Sequence, residues 1–107
     1  DLPARIWVQQ GHNDRLTELP DGAVRLARSK NAPVQAMRVI GKPIWATQFH
    51  PELTRQDNAI RYRRYIRAYG GGYDDESQDP VLSTLRDTPY PTSLLRRFGE
   101  MVLSGKI

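Results

Sequence analysis

The chain has 107 residues, enough for one small domain, of which 38% are hydrophobic and 26% are charged. This balance is typical of globular proteins and excludes a disordered chain, and no apolar run approaches the ~18 residues that a membrane-spanning helix needs. Nothing at the start of the sequence resembles a secretory signal, so we expect a cytoplasmic protein without a membrane partner. The absence of cysteine excludes disulfides and thiolate metal ligands within these residues.

The net charge of +4 raises nucleic acid as a binding partner. Phosphate binding needs a clustered basic face, and the sequence has one arginine cluster: Arg55, Arg61, Arg63, Arg64 and Arg67. A solvated helix face also explains this composition, and the acidic residues at 74–76 dilute the positive field further along the chain. We therefore expect no nucleic-acid partner.

The first predicted element is a strand over residues 5–9, where apolar side chains fall on alternate positions. This strand delivers Gly11 and His12 to its end. A Pro-Asp-Gly turn at residues 20–22 follows, and residues 24–28 alternate as a second, half-exposed strand.

Two further strands are predicted over residues 34–40 and 44–49, which are rich in β-branched and aromatic side chains. The connection at residues 41–43 is too short for a crossover helix, so the two strands should form an antiparallel hairpin. Pro51 ends the second strand because it lacks a backbone donor and disfavours helix at the residue before it. His50 is therefore placed at the far end of a rigid hairpin.

His50 is the strongest candidate for a reactive residue. Reactive groups in α/β proteins collect beyond strand ends, where the sheet holds the backbone and the side chain meets solvent. An imidazole with an ordinary pKa near ~6.5 takes and returns a proton around neutral pH, and a nearby carboxylate can fix its tautomer. Glu52 is the local carboxylate for that role. A histidine followed by proline and glutamate is also common in inactive loops, so the pattern by itself leaves both interpretations open.

The polar residues after this strand predict the start of a helix. Thr54 and Asp57 form a capping box, in which Thr54 accepts from the first turn and Asp57 reaches back. Apolar residues then recur at helical spacing and should lay a partly aromatic stripe on the sheet: Ala59, Tyr62, Ile66 and Tyr69. Three glycines at residues 70–72 should end the helix, because glycine supplies left-handed caps.

The rest of the chain is predicted to form a helical extension. We expect residues 73–107 to pack on a domain formed by residues 1–72. Asp79 and Pro80 suit the N-cap and the first position of a short helix.

A last helix is predicted from about Thr92 or Ser93. Its apolar face comprises Leu94, Leu95, Phe98, Met101 and Val102. Such a face must be buried, either on this domain or on a partner, and Gly105 follows as a stop.

The pentapeptide QFHPE at residues 48–52 resembles the signature of class I (triad) glutamine amidotransferases. Upstream, GHNDRL at residues 11–16 and LPDGA at residues 19–23 resemble a Ser-His-x-Asp-x-Val and Leu-Pro-x-Gly region of the same family. The likeness spans about residues 5–69, with its motifs in register. Gly11 departs from it, because the family usually has serine there.

The resemblance implies an α/β fold, namely the C-terminal half of a flavodoxin-like sheet with an antiparallel hairpin, a flanking helix and a helical tail. It also implies that His50 and Glu52 are catalytic and complete a Cys-His-Glu triad. His12 and Asp14 would line the glutamine-binding pocket. A loop histidine bonded to its own turn is an equally good interpretation of His12.

The resemblance implies glutamine as the substrate, hydrolysed to glutamate and ammonia without a metal or an organic cofactor. The family's nucleophile is a cysteine in a Gly-x-Cys-x-Gly turn, and neither that motif nor a serine equivalent occurs in this chain. We therefore expect a complementary N-terminal half that carries the cysteine. A further expected partner is an ammonia-accepting synthetase domain or subunit. The 107 residues alone should be inactive.

Two other functions stay open at this stage. A regulatory or binding module could keep the fold with an inactive site, and a Gly-x-Cys-x-Gly motif encoded before Asp1 would argue against it. A hydrolytic metal site could use His12, Asp14, His50 and Glu52, although neither helical His-x-x-x-His spacing nor a thiolate supports it.

Overall fold

The fold combines an antiparallel sheet with helices in a computed structural model that describes residues 2–11 and 14–106. The β-branched and apolar runs form the strands, and the segments with helical spacing form the helices. In chain order the elements are β1 (Ala23–Ala27), β2 (Ala36–Val39), β3 (Trp45–Thr47), α1 (Arg55–Ala68), a 3₁₀ helix (Glu76–Gln78), α2 (Pro80–Thr84) and α3 (Pro89–Leu103). This arrangement agrees with the predicted α/β fold class.

Strands β1, β2 and β3 lie in that order in one antiparallel sheet. Between β2 and β3, Met37 pairs with Ala46. Gly41 in the connecting turn has a φ of 75°, a left-handed conformation that glycine adopts without the steric cost of a Cβ atom. The predicted hairpin is therefore confirmed, and β3 leads to His50.

The strand predicted over residues 5–9 does not form, so this prediction was wrong. A strand needs a neighbouring ladder of hydrogen bonds, and no described strand pairs with this segment. Instead, the Gln9 carbonyl accepts a main-chain bond from the His50 N–H at 2.9 Å. The alternation of apolar side chains describes a pleated backbone, but it cannot supply the partner strand.

Helix α1 begins and ends where the sequence predicts. The Thr54 hydroxyl accepts from the Asp57 N–H at 3.0 Å, which is the N-cap half of the predicted capping box. At the other end, Gly70 has a φ of 71°, and its N–H bonds to the Arg67 carbonyl at 3.1 Å. A left-handed glycine therefore ends the helix, as expected.

The aromatic stripe predicted for α1 does not lie on the sheet, so that prediction was wrong. Tyr69 is 77% exposed, and the half-buried Tyr62 donates its hydroxyl to Asp79, which precedes α2. Among the described elements, packing is extensive within the sheet and between the 3₁₀ helix and α2, and α1 has no comparable contact with a strand. The helical period identifies which side chains share a face, but it does not specify what that face meets.

The helices of the extension follow the predicted capping pattern. Asp79 Oδ1 accepts from the Val81 N–H at 2.9 Å, and Pro80 takes the first position of α2. Helix α3 begins at Pro89, earlier than predicted, because proline is also suited to a first helical position. Gly105, with a φ of 73°, follows its last turn. Among the described helices, none combines the length and the apolar character that crossing a membrane requires.

The buried apolar core of the described residues is small. It consists of Ala32, Val34, Ala36 and Phe49. A compact monomer of this mass would expose about 6,100 Å² and have a radius of gyration of about 13 Å. This chain exposes 8413 Å² and has a radius of gyration of 16.0 Å. Much apolar surface therefore meets solvent, including Trp7, which is 65% exposed.

Candidate active site

The exit of the hairpin places an imidazole and a carboxylate in direct contact. His50 Nδ1 lies 2.6 Å from Glu52 Oε1. The His50 side chain is 28% exposed, and that of Glu52 is 53% exposed. An Nδ1–H that donates to the carboxylate leaves Nε2 with a free lone pair, which is the state of a general base. The pair can therefore accept and release a proton at Nε2.

The Glu52 carboxyl is held in its charged form. Partial burial by itself raises its pKa, but this effect is outweighed by hydrogen bonds from its own backbone N–H and from His50, and by the positive charges of His50 and Arg61. The pKa of Glu52 consequently lies below its ordinary value. A charged carboxylate at Nδ1 favours the tautomer in which Nε2 is the base.

The main chain around His50 is held from two sides. On the strand side, the Thr47 hydroxyl donates to the Phe49 carbonyl at 2.9 Å, and the Phe49 side chain is buried. On the other side, the His50 N–H donates to the Gln9 carbonyl at 2.9 Å. These contacts fix the backbone of the histidine, whereas Glu52 fixes its ring.

Gly11 and Arg61 lie beside Nε2 of His50. A Cβ atom added at Gly11 would stand 3.8 Å from His50 Nε2 and 3.8 Å from Arg61 Nη1, both ordinary van der Waals distances. Gly11 is not among the glycines with positive φ, so a serine would fit there without backbone strain. The glycine therefore leaves open space next to both the imidazole and the guanidinium group.

The structure brings together two of the four predicted site residues, His50 and Glu52. Asp14 is exposed and follows the segment in which Gly11 lies against His50. Its assignment to a glutamine pocket stays a prediction. His12 lies outside the described residues, and its assignment likewise stays a prediction.

No metal cluster is found in the part of the chain that the structure describes, meaning no group of three histidine, cysteine, aspartate or glutamate side chains placed to hold an ion. The metal set considered from the sequence includes His12, which lies outside that part. The contact between His50 and Glu52 is an imidazole hydrogen-bonded to a carboxylate, which is the arrangement of an acid–base pair.

The arginine cluster does not form one uniform basic face. Arg63 Nε lies 2.6 Å from Glu76 Oε2, and Arg61 lies near Gly11 and His50. These two cations have local partners, in contrast to the open basic face that phosphate binding needs.

Sequence reasoning did not identify Gln9, Asn58 or Arg61 as parts of this region. The apolar alternation assigns Gln9 to a strand, yet its side chain is 1% exposed and hydrogen-bonded to Asn58. The charge pattern assigns Arg61 to a solvated helix face. Asn58 and Arg61 are three positions apart on α1 and so share a face, and that spacing just after the QFHPE motif is a signal that could have indicated them.

Comparison with protein families decides to which chemistry this pair belongs. The family model of class-I glutamine amidotransferases matches residues 1–67, a range that includes His50 and Glu52. The chain belongs to this family. The match to the amidotransferase model ends near the end of α1, so it does not include the helical extension.

Relatives of this amidotransferase chain share the same part of it. A separate subunit of glutamine-hydrolysing GMP synthase from Thermococcus kodakarensis is 40% identical over 70 residues, which are 64% of this chain and 37% of that protein. The glutamine-hydrolysing GMP synthases of Thermosipho melanesiensis and Schizosaccharomyces pombe are each 42% identical over 53 residues, which are 50% of this chain and 10% of the relative. The chain thus spans well under half the length of these relatives. No solved structure matches it.

Proposed function

We propose that this chain supplies the histidine and the glutamate of a Cys-His-Glu triad that hydrolyses glutamine to glutamate and ammonia. The observation that carries the proposal is the 2.6 Å contact between His50 Nδ1 and Glu52 Oε1 within the QFHPE motif. A general base and its orienting carboxylate need this geometry. The family match and the glutamine-hydrolysing relatives support the proposal.

The proposed reaction has two acyl-transfer steps. In the first, His50 Nε2 takes the proton of the cysteine thiol, the thiolate attacks the side-chain carboxamide of glutamine, and the proton passes to ammonia as the C–N bond breaks. In the second, water attacks the resulting thioester while Nε2 takes its proton, and that proton returns to the cysteine sulfur as glutamate leaves. Glu52 keeps Nδ1 protonated and stabilises the imidazolium in both steps.

The nucleophile of the proposed triad comes from a complementary segment. The 107 residues contain no cysteine, and the matched part covers 37% of the Thermococcus relative. The exposed apolar surface of the chain supports a second segment that packs on it. We therefore expect the 107 residues by themselves to release no ammonia from glutamine.

His12 and Asp14 are proposed to line the glutamine pocket. Support comes from Gly11, which lies against His50 immediately before them in the chain. A carboxylate such as that of Asp14 suits the ammonium group of an amino-acid substrate, because charge-assisted hydrogen bonds are the strong ones.

A synthetase domain or subunit is the proposed acceptor of the ammonia. Two of the relatives are described as glutamine-hydrolysing GMP synthases, and the Thermococcus relative is described as one subunit of such an enzyme. Both descriptions support a synthetase as partner, either in the same polypeptide or in a separate one.

An inactive regulatory or binding module is the alternative function. It is favoured by Gly11, which stands where the resembled family usually has serine, and by the absence of cysteine from these residues. The parent gene distinguishes the two functions, because a Gly-x-Cys-x-Gly motif encoded before Asp1 supports the enzyme and its absence supports the module.

The test measures glutamate and ammonia released from glutamine by the parent protein, which carries this chain together with its nucleophile. His50→Ala should abolish turnover, whereas Glu52→Ala should leave a weaker rate because the base remains. Glu76→Ala is a matched control, since the Glu76 side chain is also 53% exposed and its contact with Arg63 is also 2.6 Å. That control should keep full turnover. Near-normal hydrolysis by the His50 variant would refute the assignment.

A further inference from the structure

Gln9 has a buried side chain that joins three parts of the chain. Its Nε2 donates to the Arg86 carbonyl at 2.6 Å and to the Thr88 hydroxyl at 3.1 Å, both in the segment between α2 and α3. Its Oε1 accepts from Asn58 Nδ2, on α1, at 2.9 Å. Both amide protons and the amide oxygen of Gln9 therefore have protein partners.

The main chain of Gln9 holds the main chain of His50. The Gln9 carbonyl accepts from the His50 N–H at 2.9 Å. Further along the same segment, Gly11 lies against His50 Nε2. Residues 9–11 therefore fix the backbone of the histidine and also border its reactive nitrogen.

Side-chain bonds fix this segment, since it belongs to none of the described strands or helices. Besides its bond to Gln9, Asn58 Nδ2 donates to the Gln10 carbonyl at 3.1 Å. Gln9 is 1% exposed, Asn58 is 5% exposed and Thr88 is 6% exposed. A shift of the segment would leave buried polar groups without partners, which is costly, so the network resists displacement.

We propose that Gln9 is a positioning residue for His50, and that the C-terminal extension takes part through Arg86 and Thr88. The extension would then support the acid–base group without touching the substrate. Because the position of His50 affects turnover only if His50 is the acid–base group, this inference rests on the proposed function.

The kinetic test uses Gln9→Leu in the parent protein. Leucine occupies a similar volume but removes all three side-chain bonds, so we expect kcat for glutamine hydrolysis to fall about tenfold to a hundredfold, as a small misplacement of a reacting group does. Gln35→Leu is the matched control. Gln35 is 5% exposed and its Nε2 donates to the Ser29 hydroxyl at 3.0 Å, so the control also loses a buried glutamine bond, but one that does not support residue 9. Its kcat should stay within about twofold of wild type.

A spectroscopic test reports on His50 without requiring turnover. The chain has two histidines, so ¹⁵N-histidine labelling gives two ring signals, and His50→Gln assigns them. In the wild type we expect the Nδ1–H tautomer of His50 and slow hydrogen exchange at its backbone N–H. Gln9→Leu should mix the tautomers and speed that exchange at least about tenfold, because the fixed Gln9 carbonyl is lost. Gln35→Leu should change neither.

Thr88→Val is a second variant, which keeps the side-chain volume and removes one acceptor from the Gln9 amide. It should lower kcat less than Gln9→Leu does, because the Arg86 carbonyl still accepts from Gln9. The inference is overturned if folded Gln9→Leu and Thr88→Val proteins turn over as Gln35→Leu does, or if turnover falls only with the folded fraction while the His50 signals stay unchanged. Full turnover by His50→Ala would overturn the proposed function and this inference with it. That failure is distinguishable, because Gln9→Leu would still change the His50 signals.

Discussion

Tyr62 on α1 donates its hydroxyl to Asp79, at 2.9 and 3.1 Å from the two carboxylate oxygens. Asp79 is 3% exposed, and its Oδ1 also accepts from the Val81 N–H at 2.9 Å as the N-cap of α2. One buried carboxylate therefore caps a helix of the extension and ties that helix to the family-matched part of the chain.

Asp79→Ala should destabilise the fold. Loss of the N-cap alone should lower the free energy of unfolding by about 0.5–2 kcal/mol, and the variant also removes the acceptor of the Tyr62 hydroxyl. Urea unfolding followed by circular dichroism measures the change. Asp87→Ala, at an exposed position in the same extension, is the control and should stay within about 0.5 kcal/mol of wild type. Equal stabilities of the two variants would contradict the role of Asp79.

The Tyr62 phenol should make stability depend on alkaline pH. Burial raises the pKa of Tyr62 above its ordinary 10.0, and the hydrogen bond to Asp79 and the charge of Asp79 add to the shift. The folded state then holds the phenolic proton more tightly than the unfolded state does. The resulting stabilisation is fully present below pH 10.0 and is lost as the pH rises through the folded-state pKa.

Urea unfolding at several values between about pH 9 and 12 tests this dependence. Tyr62→Phe should lack the part of the alkaline loss that wild type shows. Tyr65→Phe is the control, because Tyr65 is 52% exposed, and it should keep the wild-type dependence. The role of Tyr62 is excluded if both variants follow the same pH curve as wild type.

Elements whose cause is local could be predicted from the sequence. The hairpin follows from a connection too short for a crossover, α1 follows from the Thr54 cap, and α2 follows from Asp79 and Pro80. The contact between His50 and Glu52 belongs to the same class, because the two residues are close in the chain and in one motif. Local chemistry therefore predicts most of the strands and helices and the core of the site.

Features that depend on distant residues could not be predicted. Residues 5–9 have the pattern of a strand but no partner among the described strands, and Tyr69 lies on the predicted packing face but is exposed. The proximity of Gly11 to His50 and the burial of Gln9 arise from contacts between segments far apart in the sequence. The division into residues 1–72 and an extension stays a prediction.

Gly11→Ala should leave the fold intact and stabilise it by about 0.4–1 kcal/mol. The φ of Gly11 is not positive, the added Cβ would meet only atoms at 3.8 Å or more, and alanine restricts the unfolded chain. Gly22→Ala is the contrasting variant, since the φ of Gly22 is 78°, and it should destabilise by about 1 kcal/mol or more. Thermal unfolding of both variants measures the difference. A destabilised Gly11 variant would show that the space beside Nε2 is filled in solution.

The isolated 107-residue chain should associate, either with its complementary segment or with itself. Its surface of 8413 Å² is about 2,300 Å² larger than that of a compact monomer of this mass. The sheet also ends in two edge strands, β1 and β3, whose outer main-chain groups are open to pairing. Apolar surface next to an open edge favours contact with another chain.

Size-exclusion chromatography with light scattering measures this association. Self-association through β1 should be weakened by Leu26→Lys, because Leu26 is 55% exposed on that edge strand and a lysine there opposes strand pairing. Leu103→Lys is the control, since Leu103 is 90% exposed at the end of α3, far from the sheet edge in sequence. Addition of the complementary segment should convert the self-associated chain into a defined complex, because that segment would cover the same surface. A folded wild-type monomer with a sharp unfolding transition would show that residues 1–107 close their own core, and would contradict both the association and the half-domain hypothesis.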